Sequence, residues 1–174
     1  SGEVYLKDPI VTGLNATYID SRQDTTLAEV ISTIGATTHT LIINRTETVA
    51  DDLTIPANVS VKITSKGSLS IAVTKTITFQ TTDIDVEGDN QAFSGAGCYS
   101  FADGTELKTS WFNTLANAIS YIGSDEVTRF ANKDETLTAN TTTVATTLFK
   151  IPNTILYTVN ATFTLTIANG DIGE

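Results

Sequence analysis

The sequence is poor in the residues that most catalytic and metal sites need. It contains one cysteine, Cys98, one histidine, His39, and no methionine. A single cysteine excludes an internal disulfide, and one cysteine with one histidine cannot form a structural zinc site. A Ser-His-Asp triad would have to use His39, and no Gly-x-Ser-x-Gly turn is present to hold the serine. We therefore predict no catalytic residue set and no cofactor, and we expect Cys98 to be a small, buried apolar residue.

Long apolar runs and clustered positive charges are also lacking. No stretch reaches the length of about 18 apolar residues that a transmembrane helix needs. The net charge is −10 and the pI is about 4.4, and the few lysines and arginines are scattered. Because nucleic acids and anionic membranes are themselves negative, an acidic protein surface does not attract them. We predict no nucleic-acid partner and no membrane insertion.

The abundant residues favour β-structure. About a fifth of the residues are threonine, valine and isoleucine are frequent, and charged residues make up only 17%. β-branched side chains fit a pleated, half-buried surface better than a helix. The hydrophobic content of 40% is sufficient for a buried core. The composition therefore predicts an all-β fold.

A repeat organises the chain. TLAEVISTIG starts at Thr26 and TLANAISYIG starts at Thr114, an offset of 88 residues that also aligns the segments that follow. Each block has apolar residues at the spacing of one helical face and predicts a short amphipathic helix. Residues 24–26 offer N-caps to the first helix, Asn113 or Thr114 to the second, and Gly35 and Gly123 suit helix ends. We predict an N-terminal arm or linker over residues 1–25 and two modules, 26–112 and 113–174.

Short β-rich runs follow each helix and are separated by turn-prone residues. In the first module they are Thr40 to Ile43, Leu53 to Ile55, Val59 to Thr64, Ser68 to Val73 and Thr76 to Phe79. Their apolar residues alternate with polar ones, so one face of each strand points into a core. Such runs fit either a sandwich or a coil of stacked turns. The near absence of Asn-Gly and Asp-Gly hairpin turns between them favours the coil of parallel strands.

The order of these motifs resembles the front of pectate-lyase-like right-handed parallel β-helix proteins, a family that includes phage tailspikes and tail fibres. The resemblance rests on the helix block, on Ile55-Pro56-Ala57-Asn58, on Lys66 to Ile71, on Phe93 to Gly97 and on Trp111-Phe112. It implies a right-handed parallel β-helix, or solenoid, with short capping α-helices in two tandem modules. It also implies a homotrimer, a location in the virion tail or outside the cell, and contact with cell-surface polysaccharide.

One departure from the family pattern bears on function. The family usually continues its aromatic pair into a Gly-Ala-x-Gly-Asp-Gly loop, whereas here Asn113-Thr114 and a second helix follow Trp111-Phe112. This favours two short modules over a long coil that carries an enzyme. The leading hypothesis is therefore a structural or adhesive module of a tailspike or tail fibre. The alternatives are a fragment of a polysaccharide lyase or hydrolase, and a carbohydrate-binding module.

Two groups of residues are candidate sites. The acidic run Asp83, Asp85, Glu87 and Asp89 has carboxylates at alternate positions, as in a calcium loop, but Ser94 stands where that loop needs glutamate. Ile84 and Val86 within it favour a strand with a solvated face. Carboxylates at i and i+2 of a strand could instead flank a glycosidic bond.

The second candidate site is aromatic. Tyr99, Phe101 and Trp111 could stack on sugar rings if their faces were exposed. The alternative is that Trp111 and Phe112 cover the junction between the two modules.

Overall fold

A computed structural model describes residues 16–19 and 25–122, and beyond them the strand segments 128–130, 135–137, 140–142, 148–150, 157–159, 165–166 and 172–173. Residues 1–15 and 20–24 of the predicted arm, and Gly123, the predicted end of the second helix, lie outside the described residues. Residues 16–19, which the prediction includes in the arm, form a strand that pairs with the coil.

The chain is an all-β, parallel solenoid with two short helices, as predicted. The first half contains, in chain order, β1 (Ala16–Ile19), α1 (Leu27–Ile34), β2 (His39–Ile43), β3 (Thr46–Val49), β4 (Leu53–Ile55), β5 (Val59–Ile63), β6 (Ser68–Ile71), β7 (Thr76–Phe79), β8 (Ile84–Val86), β9 (Phe93–Gly95) and β10 (Cys98–Phe101). These strands form three parallel sheets, which we name sheet 1 (β1-β2-β5-β8), sheet 2 (β3-β6-β9) and sheet 3 (β4-β7-β10).

The second half repeats this plan. Its elements are β11 (Glu106–Lys108), the 3₁₀ helix η1 (Thr109–Phe112), α2 (Leu115–Ile122), β12 (Thr128–Phe130), β13 (Glu135–Leu137), β14 (Thr141–Thr142), β15 (Leu148–Lys150), β16 (Tyr157–Val159), β17 (Leu165–Thr166) and β18 (Ile172–Gly173). They form sheet 4 (β11-β12-β15-β18), sheet 5 (β13-β16) and sheet 6 (β14-β17), and all pairs are parallel.

Strand registers confirm the repeat. For the pairs that β5, β6, β7 and β8 form with the preceding turn, adding 88 to both partners gives the corresponding pair in the second half. Thus Thr40↔Ser60 becomes Thr128↔Leu148, Glu47↔Leu69 becomes Glu135↔Tyr157, Leu53↔Ile77 becomes Thr141↔Leu165, and Val61↔Ile84 becomes Phe149↔Ile172. The sequence repeat is therefore also a repeat of backbone pairing.

The core consists of inward side chains stacked along the coil. In sheet 1, Ile19, Ile43, Ile63 and Val86 follow one another in register, and all four are buried. Sheet 3 contributes a stack that ends in two phenylalanines, with their rings stacked at 4.9 Å between centroids. Burying one such side chain stabilises a fold by about 1.5–3 kcal/mol. Stacking in register thus gives each turn the same inner face.

Helix α1 takes the place that strands of sheets 2 and 3 would occupy in the first turn. Its N-terminus forms the predicted cap, in which the Thr26 side chain accepts from the Glu29 backbone N–H and the Glu29 side chain accepts from the Thr26 backbone N–H. Its C-terminus ends at Gly35 with a positive φ of 60°. Asn58 Nδ2 donates to the carbonyl of Gly35 at 3.0 Å and ties this end to the next turn. Leu27, Val30 and Ile34 form its buried face.

Helix α2 closes the other end of sheets 2 and 3. After β11 the chain enters η1, whose Trp111 carbonyl accepts from Ala92 N at 2.9 Å and so continues the bonding of sheet 2. α2 then packs against β10 and η1. Its N-terminus is capped by Thr114 Oγ1, which accepts from Asn117 N at 3.1 Å. One turn of the coil therefore carries helices where the turns before and after it carry strands.

Candidate binding surfaces

A groove lies between the last strand of sheet 1 and the first strand of sheet 4. β8 is the last strand of sheet 1 and β11 is the first strand of sheet 4, and the two are not paired. The groove has a volume of about 460 Å³ and is lined by Thr82, Asp83, Ile84, Asp85, Gly104, Glu106, Lys108 and Trp111. We call it the junction groove. Its size falls within the range of about 300–1,000 Å³ that is usual for ligand sites.

Three carboxylates and one ammonium group line the junction groove. Asp83 accepts a hydrogen bond of 2.6 Å from Ser60 Oγ on the neighbouring strand. Asp85 lies 3.8 Å from Lys62 Nζ, and both side chains are about half exposed or more, at 67% and 49%. Across the groove, Glu106 and Lys108 project to solvent from β11. Because Asp85 and Lys62 are exposed, their attraction is screened and contributes at most about 1 kcal/mol.

The acidic run does not form a calcium loop. Asp85 lies on strand β8, Glu87 follows it, and Gly88 and Asp89 form a turn in which Gly88 has a φ of 67°. Glu87 accepts from the backbone N–H of Ser65 at 2.8 Å, which directs it away from Asp83. Throughout the residues that the structure describes, no three His, Cys, Asp or Glu side chains are grouped as metal ligands. The strand interpretation is therefore correct, and Asp83 and Asp85 face the groove.

The aromatic residues do not offer exposed rings. Tyr99, Phe101 and Trp111 are only 1%, 4% and 4% exposed, so the premise of ring stacking on a sugar is wrong for them. They surround Phe93, which is fully buried and whose ring lies 5.1 Å from Tyr99 and 6.3 Å from Trp111. Trp111 and Phe112 are both buried, and α2 contacts η1 and β10 next to them. That they cover a junction between two modules stays a prediction.

Tyr99 is also bonded internally through its hydroxyl. Its single hydroxyl hydrogen is shared between the carbonyls of Ser94 at 2.6 Å and Leu69 at 2.9 Å, and its oxygen accepts from Ser94 N at 3.2 Å. Burial raises the pKa of Tyr99 well above its ordinary value of 10, and the bond to Ser94 offsets only part of this shift. The hydroxyl is therefore a structural link between sheets 2 and 3.

Trp111 has an unused polar group. The indole Nε1–H is buried and has no acceptor. A buried donor without a partner costs about 1–3 kcal/mol of stability. Trp111 also lines the junction groove. The residue thus joins the aromatic core to the groove.

A second surface is the outer face of sheets 2 and 3, which carries rows of hydroxyl groups. Thr46 bonds to Ser68 at 2.9 Å between their side-chain oxygens. Two longer rows run across three strands each, Thr48, Ser70 and Ser94 on sheet 2, and Thr54, Thr78 and Ser100 on sheet 3. Neighbouring strands lie about 4.8 Å apart, so these rows repeat at that spacing. We call this surface the hydroxyl face.

Cys98 belongs to the outer surface as well. It pairs with Thr76 on sheet 3 and is exposed, so the prediction of a buried apolar cysteine is wrong. Tyr99 and Phe101 on the same strand point inward, which places Cys98 and Ser100 outward by alternation.

His39 and Glu47 are buried polar residues with structural partners. His39 Nε2 lies 2.6 Å from Thr17 Oγ1 inside the coil, without a serine or aspartate arranged as a triad. Glu47 is 6% exposed and forms an ion pair with Arg45. Arg45 also donates to the carbonyl of Thr25 at 2.9 Å, just before α1. Sequence reasoning missed this contact, which holds the capping helix to the coil.

Comparisons with models of protein families, with curated proteins and with solved structures found no significant match. Among the described helices none is both long enough and apolar enough to span a membrane.

Proposed function

We propose that this chain is a non-catalytic structural and adhesive module of a phage-type tailspike or tail fibre, located on the virion tail or outside the cell. The observation that supports it best is the parallel coil whose second half repeats the register of the first. Each turn of a solenoid contacts only its neighbours, so such a coil extends as a stiff rod. A stiff rod with a regular outer surface suits attachment at a distance.

The proposed receptor is a cell-surface polysaccharide, and the hydroxyl face is its proposed binding surface. A polysaccharide offers hydroxyl groups at regular intervals, and serine and threonine hydroxyls both donate and accept hydrogen bonds. Thr48 and Thr54 are exposed and stand in different rows of this face. Repeating weak bonds along a repeating polymer add up when they are made at the same time.

Glycan-array binding tests this function. We expect retention of at least one bacterial surface polysaccharide, and at least tenfold weaker retention by the double variant Thr48→Val, Thr54→Val, which preserves shape and removes two hydroxyls. Thr38→Val, an exposed threonine outside the hydroxyl face, is the matched control and should bind as the parent does. Absence of binding to any glycan, or equal binding by the double variant and the parent, contradicts the proposal.

The trimeric state implied by the family resemblance is part of the same proposal. Sedimentation velocity over a hundredfold range of protein concentration measures it directly. We expect a species of three chains. A chain that stays monomeric throughout would remove trimer formation by these residues, although it would leave glycan binding to be judged by its own assay.

A second candidate function is cleavage of polysaccharide, which the carboxylates of the junction groove favour. Asp83 and Asp85 line one wall and Glu106 lines the other. Inverting glycosidases separate their two carboxyl groups by about 6.5–9.5 Å and retaining ones by about 5–5.5 Å. A reducing-end assay on neutral and acidic polysaccharides decides. Activity that disappears in Asp83→Asn and Glu106→Gln would establish cleavage, and inactivity on all substrates would exclude it.

A further inference from the structure

The junction groove is bordered by two strand edges that have no partner strand among the residues that the structure describes. β8 pairs with β5 on one side only, and β11 pairs with β12 on one side only. On β8, the Asp83 carbonyl and the Glu87 N–H bond to β5. Backbone groups of a parallel strand alternate between its two sides, so the groups of Ile84 and Val86 face away from β5 and toward the groove. The Ile84 N–H bonds to the Thr82 carbonyl at 3.2 Å, so the Ile84 carbonyl and the backbone groups of Val86 are the ones that face an incoming chain. On this side β8 offers an open edge to an incoming chain.

The opposite edge follows from the repeat. Arg129 lies 88 residues after Leu41, and their partners, Leu107 of β11 and Thr17 of β1, lie 90 residues apart. This difference of two residues leaves the alternation of the backbone unchanged, so Leu107 corresponds to Thr17. In β1 it is the carbonyl of Ile19, two residues after Thr17, that accepts from the next strand. By the same alternation the backbone groups of Glu106 and Lys108 face the groove. Two strand edges therefore border one cleft.

We propose that the junction groove binds an extended peptide segment of a separate protein, one that carries lysine or arginine side chains, by addition of that segment as a strand. Main-chain hydrogen bonds to an open edge supply the affinity in this mode, and alternate side chains supply the specificity. Asp83, Asp85 and Glu106 outnumber Lys108 along the groove, and the whole chain is acidic. A basic segment is therefore attracted, both at a distance and in contact.

The same charges select against a second copy of this chain. Edge strands that carry charged side chains resist pairing with identical edges, because like charges then face one another. A partner of opposite charge avoids this repulsion. The occupant that fits is a basic arm or tail of another component of the assembly, and this conclusion is independent of whether the hydroxyl face binds polysaccharide.

Trp111 provides an additional observation and a direct probe. Its indole N–H is buried without an acceptor, and Trp111 is one of the residues that line the groove. A docked strand brings carbonyl oxygens to this region, and these are acceptors that such a donor lacks. Trp111 is also the only tryptophan in the chain. Its fluorescence therefore reports on the surroundings of this single residue, which are the junction groove and the aromatic core beneath it.

The test is a fluorescence titration of the full chain with a synthetic hexapeptide that alternates lysine and valine. We expect a saturable change in Trp111 emission. The same peptide with N-methylated backbone amides should bind at least tenfold more weakly, since it retains the charges and loses the donors of a strand. A hexapeptide with glutamate in place of lysine should not bind.

Variants assign the binding to the groove. The double variant Asp83→Asn, Glu106→Gln changes two solvent-exposed side chains and should weaken the lysine peptide at least fivefold. Asp51→Asn, an exposed carboxylate far from the groove in the loop before β4, is the matched control and should bind as the parent does. Far-UV circular dichroism verifies that each variant is folded.

Three outcomes overturn the proposal. The first is no saturable change at millimolar peptide, and the second is equal binding by the N-methylated peptide, which would indicate charge attraction alone. The third is a change in Trp111 emission caused by neutral oligosaccharides and not by peptides, which would assign the groove to sugar.

Discussion

Phe93 is the residue on which the end of the first module depends most. It is fully buried, and five aromatic rings surround it at centroid distances of 5.0 to 6.3 Å. Truncation of a buried phenylalanine to alanine costs about 3–5 kcal/mol, and more when the surroundings cannot collapse into the cavity. Here two hydrogen-bonded sheets fix those surroundings. We expect Phe93→Ala to lower the free energy of unfolding by about 4 kcal/mol, a large share of the 5–15 kcal/mol that is typical of a domain.

Urea unfolding followed by both tryptophan fluorescence and far-UV circular dichroism measures this loss. Trp111 lies 6.3 Å from Phe93 between ring centroids, so its emission reports on the same region. Phe93→Leu keeps much of the apolar volume and should fall between the parent and the alanine variant. Val73→Ala, at a side chain that is 65% exposed, should change stability by less than about 0.5 kcal/mol.

A folded Phe93→Ala variant whose free energy of unfolding falls by less than about 1 kcal/mol would refute the argument. Transfer of the phenylalanine ring from water to the core is by itself worth more than that. Disagreement between the fluorescence and circular dichroism midpoints would have a different meaning. It would show that the end of the first module unfolds separately from the rest, and the two transitions would have to be analysed individually.

Four further predictions concern backbone space and titration. A methyl group at Gly67 would lie 2.1 Å from a backbone oxygen of the preceding turn, so Gly67→Ala should lower the free energy of unfolding by more than the roughly 1–3 kcal/mol of ordinary overpacking. Gly104 has open space around it but a φ of 78°, so Gly104→Ala should lower the free energy of unfolding by about 1–2 kcal/mol in chemical denaturation. Because the pKa of Tyr99 is raised in the folded state, its contribution to stability is complete below pH 10 and falls at higher pH, and Tyr99→Phe should flatten this alkaline decline. The hydrogen bonds from the backbone and side chain of Thr26 lower the pKa of Glu29. The cap therefore stabilises the fold above about pH 4.5, and this stabilisation is lost as the pH falls through the folded-state pKa. Thr26→Ala should reduce the dependence of the melting temperature on acid pH.

Much of this fold follows from local sequence patterns. The apolar stripe that begins at Leu27, with Thr26 before it and Gly35 after it, specifies a capped helix without reference to the rest of the chain. The alternation of Ile84 and Val86 with acidic residues likewise specifies a strand, and the structure confirms that it is one. Such features depend on neighbours in sequence, which is why the sequence is sufficient to predict them.

Strand β3 was not predicted, and the reason is physical. Its inward positions are Glu47 and Val49, and a charged residue at an inward position interrupts the alternation that marks a strand. The charge is tolerated because Arg45, two residues earlier, neutralises it beneath the helix. Only the three-dimensional position of that helix explains why both residues are present.

The sequence of β10 is sufficient to predict which of its residues point into the core and which point to solvent. Tyr99 and Phe101 are two residues apart and so lie on one face of the strand, while Cys98 and Ser100 lie on the other face. Since a large aromatic pair belongs in the core, the alternation already places the cysteine outside. The junction groove is different, because it exists only where a helical turn separates two sheets, and no local pattern around Glu106 and Lys108 indicates this separation.

The constant shift of 88 residues between equivalent strand pairs has a consequence for how such rods evolve. Recombination between the two copies can remove or add one entire unit. Every side chain then stays on the inner or outer face of the coil and keeps the residues stacked against it in the adjacent turns. Deletion of a single residue within a strand would instead move every later side chain of that strand from the inner face to the outer face, or the reverse. The coil can therefore change in length by whole units, and each unit carries its own helix, its own groove and its own part of the outer face.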